Sequence, residues 1–247
     1  MKTLNYISLP CIALAALSST AFGAINIYLS PNDIESAEDS GIMGVTTENF
    51  NTAILGTVNG YVGAIGTYST AFGSNIQAND QYGGNAEGNY LGNTSGSTAT
   101  ITLSSDVEYF GFYFMAGNAG NLIQLYDNGL LVFSLDTAEL VTLLNNGVGT
   151  IQAINGAFYN TANYFGQPVS GSNSTEPYAY LHFIADSGSK FDEVRLTETG
   201  GSIFENDNHS IRDIAPEIPG TLVSVPEPSS ALLGLLTFAA VCMRRRR

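Results

Sequence analysis

Hydrophobic and polar positions alternate with a period of two in the middle of the chain. Residues 98–103 set threonines at 98, 100 and 102 against apolar residues, whereas residues 107–115 are almost continuously apolar. Alternation predicts a strand with one buried face, and the apolar run predicts a central strand buried on both faces. Segments 121–126 and 130–135 flank Asp127-Asn128-Gly129, a strong hairpin signal.

Further strands are predicted at residues 179–185 and 191–196, with a last pair at 202–204 and 210–214. Asp136 and Glu139 have capping-box spacing and predict one short helix. Residues 24–45 predict a leading strand and an exposed loop, and residues 73–97 and 160–177 predict loops at the rim. Many short strands joined by Gly/Asn turns predict an all-β fold, an antiparallel β-sandwich of jelly-roll type.

The N-terminus has the pattern of a secretion signal. Lys2 precedes an apolar run over residues 7–17, and small residues follow at Ala21 and Gly23. This order predicts a signal helix over residues 1–23, cleaved by signal peptidase after Gly23, with Ser19/Ala21 as a second choice. We therefore expect an exported protein whose mature domain spans residues 24–225.

The C-terminal 22 residues, 226–247, form a separate unit. Pro226, Glu227 and Pro228 precede an apolar segment at 231–243, and Arg244, Arg245, Arg246 and Arg247 end the chain. The segment is short for a permanent transmembrane helix, and the arginines predict that this end stays cytoplasmic. The order of these parts indicates a signal that is recognised and processed at the inner membrane.

This tail resembles the PEP-CTERM sorting signal of Gram-negative bacteria, which is also labelled an ice-binding protein C-terminal domain. That second label describes the tail and says nothing about ice. The resemblance implies handling by exosortase, transient anchoring in the inner membrane, and a final place on the cell surface or in the exopolysaccharide matrix.

Charge excludes one class of partner. The mature domain has 21 acidic and 3 basic residues, a net charge of −18. A nucleic-acid-binding protein needs Lys and Arg to displace counterions from phosphates, so we expect no nucleic-acid partner. Both cysteines, Cys11 and Cys242, lie in the end segments, so the domain has no disulfide and no thiolate metal site.

Oxygen-rich clusters suggest a bound cation. Glu205 and Asp207 alternate within residues 204–208, Glu48 lies among polar residues at 47–51, and a third cluster spans 186–192. Carboxylate and amide oxygens are typical Ca²⁺ ligands. Segments 191–194 and 204–208 also resemble the closing part of jelly-roll domains in exosortase-dependent surface proteins. That resemblance implies a structural Ca²⁺ held by Glu48 and Asp207, with Glu205 in reserve.

Tyrosines in polar segments raise the possibility of glycan binding. Tyr82, Tyr90 and Tyr164, with Tyr159 and Tyr178 near them, would offer stacking faces beside asparagine amides. The alternative is that these rings pack the rim of the core. The absence of Trp counts against a carbohydrate-binding module.

Catalytic motifs are weak. The histidines are His182, in an apolar strand, and His209, and neither belongs to a nucleophile or metal motif. Glycoside hydrolysis requires two neighbouring carboxylates, and acidic pairs such as Asp106/Glu108 and Asp192/Glu193 would provide them. We therefore expect a non-enzymatic structural or adhesive surface protein, with a lectin-like exopolysaccharide-binding module and a secreted glycoside hydrolase as alternatives.

Overall fold

The structure is a computed structural model that describes residues 25–79, 88–167, 172–186 and 188–218. Strands dominate it, with one α-helix, α1 (Thr137–Leu143), and two short 3-10 turns at Asn145–Gly147 and Thr161–Tyr164. The strands are β1 (Ile25–Leu29), β2 (Thr46–Glu48), β3 (Gly56–Thr57), β4 (Tyr61–Val62), β5 (Gly66–Ser69), β6 (Ser74–Gln77), β7 (Tyr90–Thr94), β8 (Thr98–Val107), β9 (Tyr109–Met115), β10 (Asn121–Asp127), β11 (Leu130–Asp136), β12 (Thr150–Gln152), β13 (Phe158–Asn160), β14 (Ala179–Ala185), β15 (Phe191–Glu198) and β16 (Ile203–Arg212).

Two antiparallel sheets contain most of these strands. The first has the order β1-β14-β9-β16-β7-β6-β3, with β2 also paired to β16, and the second has the order β11-β10-β15-β8-β5-β4. Strands β12 and β13 form a separate hairpin. The all-β antiparallel prediction is therefore confirmed, whereas the narrower jelly-roll topology stays a prediction.

One hydrophobic core lies between the two sheets. On β9, Phe110, Phe112 and Phe114 point into it from the first sheet, and on β8, Ala99 and Ile101 point into it from the second. Residues from both sheets thus share one cluster, as in a β-sandwich. We call the face of each sheet that meets this core its inner face and the opposite one its outer face.

The outer face of the first sheet is also covered. Tyr109, Tyr113 and Met115 of β9 contribute to this second cluster, and the loop over residues 30–45 adds Ala37 and Ile42. The loop that was predicted to be exposed therefore covers part of a second core. We call this second core the outer tyrosine cluster. Its buried members are Tyr28, Ala37, Ile42, Tyr90, Tyr109, Tyr113, Met115, Ala116, Ile154, Tyr178, Tyr180 and Ile184.

Local signals placed the hairpin and the helix correctly. Strands β10 and β11 are joined at Asn128 and Gly129, with φ of 49° and 77°, the positive values that a type I′ turn requires. Asp136 Oδ1 accepts a hydrogen bond from the Glu139 amide, and Glu139 Oε2 accepts one from the Asp136 amide. This reciprocal pair is the predicted capping box of α1.

Two expectations about strands were wrong. The predicted final pair is one strand, β16, which continues through the polar segment because a bulge at Asn208, with φ of 52°, absorbs an extra residue. Residues 73–97, predicted as a loop, contain β6 and β7. In both segments polar residues lie within paired strands, so polarity did not mark a loop.

Candidate functional site

The two ends lie outside the described residues. This applies to Ala21 and Gly23 at the predicted cleavage site and to Pro226, Glu227, Pro228 and Arg244–Arg247 of the tail. Within the described ranges, no helix is long and apolar enough to cross a membrane.

The tyrosines predicted to stack on sugars are mostly core residues. Tyr90 and Tyr164 are fully buried, and the Tyr164 hydroxyl donates a hydrogen bond to the Ser30 carbonyl oxygen over 2.7 Å. Tyr82 lies outside the described residues. The prediction of Tyr90 and Tyr164 as glycan contacts is therefore corrected, because their rings are enclosed.

The three predicted calcium ligands are buried but do not share a face. Glu205 and Asp207 lie two residues apart, on the outer face of β16, because Phe204 before them is part of the inner core. Glu48 is paired with His209 on the inner side. The sheet therefore separates Glu48 from the other two acids, and the described residues contain no group of three or more acidic, His or Cys side chains suited to a metal.

Glu48 has partners of its own. Its carboxylate accepts hydrogen bonds from the backbone amides of Phe50, over 2.7 Å, and Ala64, over 2.8 Å. Its charge and a hydrogen bond add to the effect of burial, which raises the pKa of Tyr61 to about 12. Glu48 thus links β2 to the turn before β5. Glu48, Glu205 and Asp207 do not form a common set of calcium ligands.

Glu205 is an uncharged acid near neutral pH. Burial first, and then the nearby negative charges of Glu176 and Glu198, raise the pKa of Glu205 to about 9. Protonation removes the cost of burying a charge on the outer face of the sheet.

Both histidines are structural. His209 bonds the Tyr68 hydroxyl through Nδ1 over 2.9 Å and the Asn206 amide oxygen through Nε2 over 2.8 Å, inside the inner core. Burial lowers the pKa of His209 to about 3, so the ring is neutral. Asn206, on the same strand, serves as its partner.

His182, in the apolar strand β14, is buried on the outer face. Its Nε2 lies 2.8 Å from Ser30 Oγ and its Nδ1 lies 2.9 Å from the Tyr109 hydroxyl. Burial lowers the pKa of His182 to about 3. Ser30, His182 and Tyr109 therefore form a hydrogen-bonded chain at the outer tyrosine cluster that links the end of β1 to β14 and β9.

The acidic pairs considered for glycoside hydrolysis have structural contacts. Glu193 forms a salt bridge of 2.6 Å with Arg195, and Asp192 accepts a hydrogen bond from the Asn128 amide over 3.2 Å. Glu108 accepts one from the Ala215 amide over 2.9 Å. These contacts give each of the three acids a role in the fold, and the enzymatic alternative stays untested.

An exposed groove lies on the second sheet, and the sequence did not predict it. Its volume is about 290 Å³, and it is lined by Ser69, Thr70, Ala71, Phe72, Gly96, Thr98 and Thr100. Phe72 is 58% exposed, and the tip of its ring lies near Gly96. The lining carries hydroxyls and one aromatic ring but no charge. The alternation of threonines at 98, 100 and 102 was the available sequence signal.

Comparison with protein-family models and comparison with curated proteins both give no match. Among solved structures, the chain is similar to the K2 cleaved adhesin domain of Lys-gingipain (Kgp), with a TM-score of 0.35 and 11% identity. The alignment covers 68% of this chain and 98% of that domain. At this TM-score the likeness supports no argument about function.

Proposed function

We propose that the protein is an exported surface or extracellular-matrix protein of a Gram-negative bacterium, with a structural or adhesive role and no enzymatic activity. The observation that carries the proposal is the C-terminal order of Pro226-Glu227-Pro228, an apolar segment and four arginines. Signal peptidase removes residues 1–23, and exosortase acts on the tail while residues 231–243 hold the protein in the inner membrane.

The described domain supports this role through its use of polar groups. Its two histidines are neutral and engaged in hydrogen bonds within the sheets, and Glu48 is held by two backbone amides. These groups stabilise a sandwich rather than line a cleft. The net charge of −18 over residues 24–225 favours solubility and mutual repulsion outside the cell.

Sorting is tested by replacing Pro226, Glu227 and Pro228 with alanine in the full chain, expressed in a Gram-negative host with an exosortase. We expect the parent protein at the surface or in the matrix and the variant retained in the membrane fraction. The matched control is the double substitution Pro216→Ala and Glu217→Ala, which alters another Pro-Glu pair and should leave sorting unchanged. A variant that reaches the surface as the parent does contradicts the proposal.

A lectin-like function is the second candidate, and the Phe72 groove favours it. An exposed aromatic ring beside uncharged hydroxyls suits a neutral, hydroxyl-rich ligand, because sugars stack on rings and exchange hydrogen bonds with hydroxyls. Co-sedimentation of the full chain with the host's exopolysaccharide measures it. Phe72→Ala should abolish saturable binding, whereas Phe158→Ala, at a ring 67% exposed on β13, should not. Equal binding by both variants rules out the groove.

A further inference from the structure

A polar site closes one end of the sandwich, where β10 begins and β15 ends. Asn121, the first residue of β10, is directly opposite Glu198, the last residue of β15. Two residues further in, Ile123 and Leu196 belong to the inner core. Because side chains two apart on a strand share a face, Asn121 and Glu198 both point between the sheets.

Asn121 is enclosed without a visible partner. It is 0% exposed, and within the described residues neither Oδ1 nor Nδ2 of its amide has a hydrogen bond. The buried Oδ1 of Asn93 also lacks one, and the Asn93 amide nitrogen bonds the Leu196 carbonyl, two residues from Glu198. Leaving a buried amide unsatisfied is unfavourable, so the unpartnered Asn121 side chain indicates a bound species.

Oxygen atoms converge on the same place. Ser202 Oγ lies 3.2 Å from Glu198 Oε2 and also donates to Asn118 Oδ1. Two glycines border the carboxylate: a Cβ at Gly120 would lie 2.5 Å from Glu198 Oε1, and one at Gly200 would lie 2.8 Å from it. Glycine at both positions therefore lets the two turns pack against the carboxylate, and the Gly200 amide donates a hydrogen bond to Glu198 Oε1.

The charge around this place is negative. Glu176 hydrogen-bonds the Asn118 side chain and brings a second carboxyl group close. Among the described residues, Arg195 forms an ion pair with Glu193, on the same strand but away from Glu198. In the part of the chain that the structure describes, no Lys or Arg therefore balances Glu198.

We propose that this site binds a divalent cation, Ca²⁺, through the Glu198 carboxylate, the side-chain oxygens of Asn118 and Asn121, and the Ser202 hydroxyl. Ca²⁺ prefers mixed carboxylate, amide and hydroxyl oxygens and completes its shell with water. The ion would join the segment before β10, the end of β15 and the start of β16. The ligands differ entirely from Glu48, Glu205 and Asp207.

Affinity follows from the ligand charge. With one carboxylate among neutral oxygens, the site belongs with the weak extracellular class, with Kd of about 10⁻⁴–10⁻³ M. At a Ca²⁺ concentration about ten times Kd, binding to the folded state alone raises the melting temperature of a domain this size by about 3–6 °C. Such a site is filled outside a cell and empty inside it.

The test is titration of the full chain, purified in mild detergent, with Ca²⁺ alone, followed by calorimetry and by melting temperature against EDTA. We expect one saturable site whose stabilisation is lost in Glu198→Gln and in Asn121→Leu. Asn121→Asp should bind Ca²⁺ at least about tenfold more tightly, since it adds a ligand charge. Glu193→Gln, on the same strand, is the matched control and should bind as the parent does.

Folding of the variants is checked in EDTA. Asn121→Leu should melt there at or above the parent temperature, because it removes an unsatisfied buried amide. Absence of saturable Ca²⁺ binding up to about ten times the upper Kd limit would overturn the proposal, leaving buried water as the partner of Asn121. Binding that persists unchanged in both Glu198→Gln and Asn121→Leu would place the ion elsewhere and also overturn it.

Discussion

Glu205 makes the stability of the domain depend on pH in an unusual direction. The side chain is 1% exposed, and burial with the nearby Glu176 and Glu198 charges raises the pKa of Glu205 from 4.5 to about 9. The folded protein therefore keeps a proton that the unfolded chain releases above pH 4.5. Replacement by glutamine, a neutral side chain of the same shape, removes this linkage.

The magnitude follows from proton linkage. A raised folded-state pKa contributes stability that is complete below pH 4.5 and is lost as the pH rises to 9, by about 1.4 kcal/mol per pH unit. Between about pH 5 and pH 8, the free energy of unfolding of the parent should fall by about 4 kcal/mol relative to Glu205→Gln. Below pH 4.5 both side chains are neutral, so the difference between the two proteins should be constant.

Urea unfolding at a series of pH values, followed by circular dichroism and tyrosine fluorescence, measures the difference. The chain has no Trp, so the fluorescence reports its 13 tyrosines. The expected curve is flat below pH 4.5 and rises in favour of glutamine above it. A difference that is independent of pH from 5 to 8 would refute the account of Glu205 as a buried neutral acid.

Three further predictions concern the fold. Burial lowers the pKa of both histidines from 6.5 to about 3, so the unfolded chain takes up protons that the folded protein does not as the pH falls. In a Glu205→Gln background, the free energy of unfolding measured in urea should therefore fall by about 3–4 kcal/mol from pH 7 to pH 5. A rise over this range would contradict the account of both histidines as buried and neutral. Asp136→Ala removes the capping box and should cost about 1 kcal/mol, seen as a melting temperature lower by about 2–4 °C. Gly63→Ala places a Cβ 2.5 Å from Glu48 Oε2 and should lower the free energy of unfolding by about 2–4 kcal/mol. The control Gly201→Ala lies in open space and should leave it nearly unchanged. Equal melting temperatures of the two variants would refute the Glu48 contact.

Elements set by local chemistry could be predicted from the sequence. The Asn128-Gly129 turn and the Asp136 capping box depend on residues next to each other in the chain, and both are confirmed. The alternation at 98–103 and the apolar run at 107–115 gave β8 and β9 because their periodicity reports burial directly. The antiparallel β-fold followed from these segments.

The predicted binding residues depended on which face of a sheet each side chain occupies, and the sequence could not show the face. Tyr90 was predicted on an exposed loop, but it lies in β7 and is buried in the outer tyrosine cluster. Glu48 pairs with His209 of β16, two residues after Asp207 on the same strand. The two acids nevertheless lie on opposite faces, because the Asn208 bulge shifts the alternation of side chains along β16. The Phe72 groove joins turns far apart in sequence.

Export and sorting through the tail are tested by mass spectrometry of the protein recovered from surface, matrix and cytoplasmic fractions of a Gram-negative host with an exosortase. We expect protein outside the cytoplasm whose first residue is Ala24. Full-length protein that begins at Met1 and remains in the cytoplasm would contradict it.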